Sequence, residues 1–277
     1  MSKRKIDVAV ISDVHLGTFG CRASELRRYL KSIDPEILIL NGDIIDGWYF
    51  SKRYFPKAHM EVVQLIVKMA AKGKQVYYLT GNHDDVLRRF SPFALGNFIL
   101  EDKLLLDLDG KKMWIFHGDI FDVSITTSKW LAKLGGKGYN LLIFLNSLIN
   151  FLPRLFNRPR MSFSKKIKDS VKRAVKHINE FEEAASNLAI ENGYDYVICG
   201  HIHNAQMRQV ENRKGSVTYL NSGDWIENMT ALEYTDGNWT IFRYNDKEFD
   251  LQKNQPVLQP ALSASISFPF RKKKVDQ

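Results

Sequence analysis

The sequence predicts an α/β fold of two sheets packed face to face with helices outside. Three observations lead there. Short apolar runs recur along the chain, many of them ending in a polar cluster, and such runs read as strands buried on both faces. Segments with apolar residues at helical spacing separate some of these runs. Late in the chain, strand-like runs follow one another, the last pair joined by a tight-turn signal.

In order, Val8–Ile11 is a strand ending in Ser12-Asp13, and Ser24–Ile33 is a helix with Leu26, Tyr29, Leu30 and Ile33 on one face. Ile37–Leu40 runs into Asn41-Gly42-Asp43. Ala58–Ala71 is helical through Val62, Val63, Leu65, Ile66 and Met69, with Gly73 placed to terminate it. Val76–Leu79 ends in Thr80-Gly81-Asn82, and Met113–Phe116 in His117-Gly118-Asp119. Trp130–Phe156 is rich in Leu, Ile and Phe. Phe163–Asn192 reads as one long amphipathic helix, with Ile167, Val171, Ala174, Val175, Ile178, Phe181, Ala185 and Leu188 on its apolar face and Gly193 closing it. Tyr196–Cys199 ends in Gly200-His201. Ser216–Leu220, Ala231–Tyr234 and Trp239–Tyr244 are the last strands, with Asp236-Gly237-Asn238 as a hairpin turn. The expected organisation is a core of 1–124 and 181–250, a helical insertion over 125–180, and an irregular basic tail over 251–277.

A hydrophobic fraction of 44% and a charged fraction of 26% over 277 residues describe a globular chain long enough to bury a core. The net charge of +9 excludes an acidic, solvating chain and points to an anionic partner. That charge is localised: residues 125–180 hold 12 Lys plus Arg against 2 Asp plus Glu, leaving the remainder near neutrality. Two cysteines, Cys21 and Cys199, argue against a disulfide scaffold. Without a signal-like segment or a clean apolar span of about 20 residues, the expected location is cytoplasmic.

Five blocks carry the chemistry: Asp13-Val14-His15, Gly42-Asp43-Ile44-Ile45-Asp46, Gly81-Asn82-His83-Asp84, His117-Gly118-Asp119 and Gly200-His201-Ile202-His203. They contain five of the seven histidines; His59 and His177, outside them, are expected to be surface or structural. One such block is an ordinary turn, but five at strand ends are a different matter. Mixed Asp, His and Asn donors suit Mn²⁺, Fe or Zn²⁺. In Asp13-Val14-His15, two residues flank one extended residue, so both side chains point the same way, and His201 and His203 repeat the pattern. A carboxylate such as Asp43 can bridge two cations at a separation of about 3.5–4 Å. The glycines allow tight turns after the strands.

Taken together, the blocks resemble those of the calcineurin-like metallophosphoesterase superfamily over roughly residues 6–245. The resemblance implies a four-layer α/β/β/α sandwich with a helical lid insertion and a site for two divalent cations, Mn²⁺ first, with Fe or Zn²⁺ as alternatives. It places Asp13, His15, Asp43 and His203 on one cation, and Asp43, Asn82, His117 and His201 on the other. His83 is implied beside the substrate phosphate as proton donor or charge stabiliser, oriented by Asp84, while Asp46 orients the second block. Asp119 is either a supporting residue or a turn residue. The implied reaction is direct attack on phosphorus by hydroxide held between the cations, with no covalent phospho-enzyme.

Chain size, Asp13-Val14-His15-Leu16-Gly17 and the helical insertion are similar to the UDP-2,3-diacylglucosamine pyrophosphatase group of lipid A biosynthesis. That group cleaves a nucleotide diphosphate to UMP and a diacylated sugar phosphate at the inner face of the cell membrane. Leu141–Leu145, Leu148-Ile149 and Phe151-Leu152, followed by Arg154, Arg158 and Arg160, suit an acyl-chain groove or an interfacial helix; a lid packed on its own domain is the compatible alternative. Asn82, His83, Arg160, Lys165 and Lys168 are the residues expected to meet the substrate or anionic head groups, with a solvated helix face as the other reading of the basic residues. The chain departs from that group at His83, where the group usually carries Arg, and at Asn204-Ala205, where a proline commonly follows the last histidine block. The alternative is therefore a phosphoesterase of other specificity, a nucleotide or nucleic-acid phosphodiesterase or a phosphatase. Nucleic acid is disfavoured because the basic residues flank aliphatic runs rather than exposed aromatics. A non-catalytic binding scaffold is disfavoured because every expected metal position is filled. Asn221–Trp225 either lines the site or forms a plain turn.

Overall fold

The computed structural model describes residues 3–49, 54–121 and 163–247, the side chains of 163–175 and 177 excepted. The first sheet has seven strands: β1 (Arg4–Ile11), β2 (Ile33–Asn41), β3 (Gln75–Leu79), β4 (Phe93–Leu95), β5 (Phe98–Glu101), β11 (Thr230–Thr235) and β12 (Asn238–Arg243), in the order β12-β11-β1-β2-β3-β5-β4. The second has five: β6 (Lys103–Leu108), β7 (Lys111–Phe116), β8 (Tyr196–Cys199), β9 (Gln206–Asn212) and β10 (Gly215–Asn221), in the order β6-β7-β8-β10-β9. Helices α1 (Ala23–Ser32) and α2 (Lys57–Ala71) accompany the first sheet, and α3 (Phe163–Glu191) packs on the second. The result is the expected α/β/β/α sandwich.

The period of two along each strand sorts the core into layers. Val8 and Val10 of β1, Ile39 of β2, Leu79 of β3, Ile115 of β7, Ile198 of β8 and Leu220 of β10 fill the space between the sheets. Their alternates on the second sheet, Trp114, Phe116, Val197, Cys199, Val217 and Tyr219, meet Phe181, Ala185, Ala189 and Ile190 of α3. Truncating one such residue, Ile39→Ala for example, costs about 2–5 kcal/mol. Asp236-Gly237 forms the expected hairpin, with φ of 51° and 78° beside the Thr235–Asn238 pair, values that fit a type I′ turn.

Helix α3 differs from its expected face. Phe181 and Ala185 are buried, but Leu188 is exposed, and Glu182 and Ser186 lie in the buried stripe instead. Glu182 is accommodated because Arg208 pairs with it at 2.7 Å from β9 and Gln206 donates to it. The boundary expected at 180 falls inside this continuous helix. The rest of the insertion from 125 to 162, Arg160 included, and the tail over 251–277 lie outside the described residues. Lys165 and Lys168 belong to α3, but their side chains also lie outside the description. Among the described residues no helix is long and apolar enough to cross a membrane.

Strands β1, β2 and β3 run parallel, as do β7, β8 and β10. Parallel strands deliver their C-terminal ends to one edge of a sheet, where α/β folds place ligands. All five sequence blocks follow such ends. The two edges are tied together by Asn41, whose side-chain amide donates to the Phe116 carbonyl at 3.1 Å and whose own carbonyl lies 2.9 Å from His117 Nδ1.

Candidate metal centre

Beyond the strand ends, the chain leaves extended geometry. Asp13, His15, Asp43, His201 and His203 have φ between 51° and 68° and make up five of the eight non-glycine residues with positive φ among those described. Asp13 and His15 are thus not placed by plain strand alternation: the backbone turns left-handed at each of these positions. That conformation costs roughly 1–2 kcal/mol per non-glycine residue, and such strain concentrates at functional sites. Neighbouring loops hold it in place. The amides of Val14 and His15 both donate to the Asp43 carbonyl at 2.9 Å, and Gly200 donates to the His117 carbonyl at 2.9 Å.

The tight-turn reading of the glycines holds for Gly42 and Gly118, at φ of 80° and 125°. Gly200 is required for another reason. A Cβ there would lie 2.6 Å from Asp13 Oδ2 and 2.7 Å from Ser12 Oγ. A Cβ at Gly81 would collide with the Asp43 carboxylate in the same way.

These loops bring together three overlapping groups of donors: Asp13, His15 and His203; His15, Asp43 and His83; and Asp13, Asp43 and His117, with ligand atoms in each within 4.8 Å. Asp43 Oδ2 lies 3.4 Å from His117 Nε2, 3.9 Å from His15 Nε2 and 4.0 Å from His83 Nε2. Asp13 Oδ1 lies 3.2 Å from His203 Nε2. The outer oxygens are fixed by the backbone: the His83 amide donates to Asp43 Oδ1 at 2.8 Å, and the His201 amide to Asp13 Oδ2 at 3.0 Å. The His201 ring sits 5.2 Å from that of His117, centroid to centroid. Asp13 and Asp43 each belong to two of the groups.

The imidazoles are held from behind. His117 Nδ1 faces the Asn41 carbonyl, so it carries the proton and leaves Nε2 as a lone pair facing inward. His15 Nδ1 and His83 Nδ1 share Asp46 Oδ2, at 3.2 and 3.0 Å. Asp46 thus orients the first block and the third. Asp84 was expected to orient His83, but its carboxylate is committed elsewhere, accepting from the Ile44 amide at 2.9 Å, the Tyr78 hydroxyl at 2.6 Å and the Gly81 amide at 2.6 Å. It fastens the second block to the third. Asp119 pairs with Arg88 at 2.6 Å, and Arg88 also donates to Thr80, linking the loops after β3 and β7. His59 is buried and accepts the Gly17 amide at 2.9 Å, a structural role. Asn221 donates to the Gly200 carbonyl, and Ser222 pairs with Ser12 at 2.6 Å, so this segment buttresses the last histidine block.

Trp48 escaped the sequence reading. Its ring stacks on His83 with centroids 4.1 Å apart. Its position two residues after Asp46 was the available signal. Asp224, within the Asn221–Trp225 segment, accepts the amides of Ile226 and Glu227 and lies 3.9 Å from His203 Nδ1.

Among the described residues, four buried ligand atoms in the blocks have no hydrogen-bond partner: Asp13 Oδ1, His15 Nε2, Asn82 Oδ1 and His117 Nε2. Leaving one such atom unsatisfied costs roughly 1–3 kcal/mol. All four are hard or borderline donors suited to a divalent cation, so the residues present fit metal ions. Electrostatics agree. Burial alone would raise the Asp43 carboxyl, yet His117, His15 and His83 hold it well below the usual carboxylate range. Against its own burial, His117 is pushed up to about 10 by Asp43 and Asp13, and His203 to about 9, chiefly by Asp13. The carboxylates demand positive charge, which protons on the histidines supply when no cation is bound.

The calcineurin-like phosphoesterase family model matches residues 6–205, a span containing all five blocks. The chain belongs to the calcineurin-like phosphoesterase family. It is accordingly a metal-dependent phosphoester hydrolase. A protein named UDP-2,3-diacylglucosamine hydrolase from Aliivibrio fischeri (strain MJ11) is 25% identical over 253 residues, covering 87% of this phosphoesterase and 99% of the relative. Proteins of the same name are 24% identical in Blochmanniella pennsylvanica (strain BPEN), covering 84% and 94%, and 25% identical in Neisseria meningitidis (strain ATCC BAA-335 / MC58), covering 84% and 95%.

Proposed function

We propose that this phosphoesterase hydrolyses the diphosphate of UDP-2,3-diacylglucosamine, or a related nucleotide-linked lipid, to UMP and a lipid phosphate at an anionic membrane surface. The observation that carries the chemistry is the set of inward-facing, unpartnered acceptors around Asp43 and Asp13. Relatives bearing that name and matching nearly end to end support the substrate, as does the apolar run of 141–152 with basic residues after it.

In this reading Asp13, His15, Asp43 and His203 hold one divalent cation, and Asp43, Asn82, His117 and His201 hold a second, with Mn²⁺ the first candidate. When bound, the two cations supply Lewis-acid activation of water and neutralise charge on the phosphoryl oxygens. The remaining work falls to side chains. His83 donates Nδ1–H to Asp46, and its second nitrogen faces the cluster. Burial lowers the pKa of His83, but Asp46 and Asp43 raise it on balance, which favours the form with a proton at Nε2. That proton can pass to the leaving oxygen, or the charge can stabilise the transition state. Trp48, stacked on the ring, fixes its plane.

The test is a panel of the diacylated nucleotide sugar, its unacylated counterpart and a cyclic nucleotide, each with Mn²⁺. UMP release from the diacylated compound is expected. If that compound stays intact while another ester is cleaved, the substrate assignment fails and the chemistry stands. His83, which takes the place of the lipid A group's usual Arg, favours the second reading, a phosphodiesterase or phosphatase of other specificity.

A further inference from the structure

The outer face of the first sheet is incompletely covered at its β4 edge. Two shallow grooves of about 400 and 490 Å³ lie there, one lined wholly by apolar side chains and both walled by Phe93 and Phe98. The first reaches Ile45, two residues after Asp43, so the edge borders the candidate metal centre. Around the grooves, large apolar side chains stand out of the surface: Phe90 is 55% exposed, Phe93 49%, Leu95 70% and Val67 57%. Singly such residues are ordinary, but a contiguous group marks an interaction surface.

Charge selects the partner. Residues 62–76 and 85–101, which form this edge and the adjoining part of α2, contain Lys68, Lys72, Lys74, Arg88 and Arg89 against Asp85 and Glu101. Lys74 and Arg88 are paired with carboxylates elsewhere. Lys68, Lys72 and Arg89 form no ion pair among the described residues, and Arg89 lies over the Phe90 ring at 4.8 Å. A β-strand partner is poorly served, since β4 spans three residues and is bounded by Pro92, which lacks an amide hydrogen, and by Gly96 at φ 58°. Exposed aromatic and aliphatic side chains with cations beside them match the interfacial zone of an anionic bilayer.

We propose that the edge formed by the Asp85–Phe90 3₁₀ helix, the β4–β5 hairpin and the end of α2 is a docking face for an anionic lipid bilayer. Its residues lie outside the 125–180 insertion in the sequence. Its occupant rests on the membrane reading of the proposed function, and its location on the edge geometry alone. Docking there would hold the metal centre beside the head-group layer, since the same loops shape both.

The test is co-sedimentation of the full chain with vesicles of phosphatidylcholine, alone or mixed 3:1 with phosphatidylglycerol as about a quarter anionic lipid. Binding to the mixed vesicles is expected, falling with salt. Phe90→Ser and Leu95→Ser should each weaken it about tenfold, and Lys72→Glu and Arg89→Glu at least about fivefold. Hydrolysis of soluble bis(p-nitrophenyl) phosphate should be unchanged in Leu95→Ser, Lys72→Glu and Arg89→Glu, which shows that they fold. Leu95→Trp adds a gain of signal: its emission, relative to wild type, should move to the blue with mixed vesicles. Wild-type binding by these variants with a silent Leu95→Trp would overturn this face and leave the membrane reading to another surface. Failure of the wild type to bind any vesicle would remove both, and self-association lost in Leu95→Ser without vesicle binding would give the edge to a protein contact instead.

Discussion

Asp46→Asn isolates the group that holds two histidines from one carboxylate oxygen. The change is isosteric and keeps Oδ1, which accepts the Trp48 amide at 3.0 Å and the Tyr49 amide at 2.8 Å, so the loop retains its anchor. The new NH₂ group then stands where Oδ2 stood, 3.2 Å from His15 Nδ1 and 3.0 Å from His83 Nδ1. Two donors cannot face one another. Each ring must therefore surrender its Nδ1 proton and accept from the amide. For His15 that moves the proton to Nε2, the atom whose lone pair faces the cluster, and a metal ligand is lost. Hydrogen bonds to charged groups are worth about 1.5–3 kcal/mol each, and loss of such support typically weakens metal affinity or activity by about 10–100-fold. The Mn²⁺ concentration for half-maximal hydrolysis of bis(p-nitrophenyl) phosphate should rise by that factor. For His83 the effect is on its proton. Asp46 helps raise its pKa, so the alkaline fall in kcat should begin at lower pH in the variant. A variant with wild-type Mn²⁺ dependence and an unmoved alkaline limb would refute the orienting role.

Gly200→Ala should raise the half-saturating Mn²⁺ concentration at least about tenfold and cost about 1–3 kcal/mol of stability, because its Cβ would displace Asp13 and Ser12; wild-type metal dependence would show that the pocket relaxes freely. Chelation should lower the melting temperature. At a cation concentration of 100 times Kd the linkage is about 2.7 kcal/mol, about 5–10 °C for a domain of this size, and equal melting curves with Mn²⁺ and with EDTA would contradict it. Metal-free protein should also lose stability as pH rises. His117 and His203 are raised in the fold, to about 10 and about 9, so their contribution is complete below about 6.5, the unfolded value, and disappears as pH passes through those folded values. A flat or opposite trend in urea unfolding of the metal-free protein across that window would count against the placement of the carboxylates. Asp43→Ala should abolish turnover of every ester tested, and residual wild-type rates would remove the bridging role.

The central strands were legible because burial on both faces leaves uninterrupted apolar runs: Val8–Ile11 and Ile37–Leu40 lie in the C-terminal halves of β1 and β2, and Tyr196–Cys199 is the whole of β8. Of the edge strands, β12 was legible in Trp239–Tyr244, but β4, β6 and β9 were not. β9 reads Gln-Met-Arg-Gln-Val-Glu-Asn and is largely exposed, so packing leaves little hydrophobic pattern to find. β6 and β7 did announce themselves through Asp109-Gly110, at φ of 54° and 72°, a turn signal of the same kind as Asp236-Gly237 that went unread. Within the site, sequence proximity misassigned Asp84. It adjoins His83 in the chain, yet its oxygens are taken by Ile44, Tyr78 and Gly81. Asp46, 37 residues away, is the group in contact. Adjacency along the chain does not bring two side chains together, and only three dimensions show which carboxylate meets which ring.

That geometry also explains why the site is built from short blocks on parallel strand ends. A cation needs several donors aimed inward at once, and a continuous strand sends alternate side chains to opposite faces. Left-handed residues after β1, β2 and β8 re-aim their donors, but each adds strain, and each inward donor forgoes a hydrogen bond. Rigid support from behind is then obligatory. Asp46 behind His15 and His83, Asn41 behind His117, and the His83 and His201 amides behind Asp43 and Asp13 supply it. The supports cross between blocks rather than staying within them, so no block can shift without disturbing another. A centre of this kind resists substitution at its supports as well as at its ligands, and the glycines at 81 and 200 resist for want of space rather than for want of a special backbone.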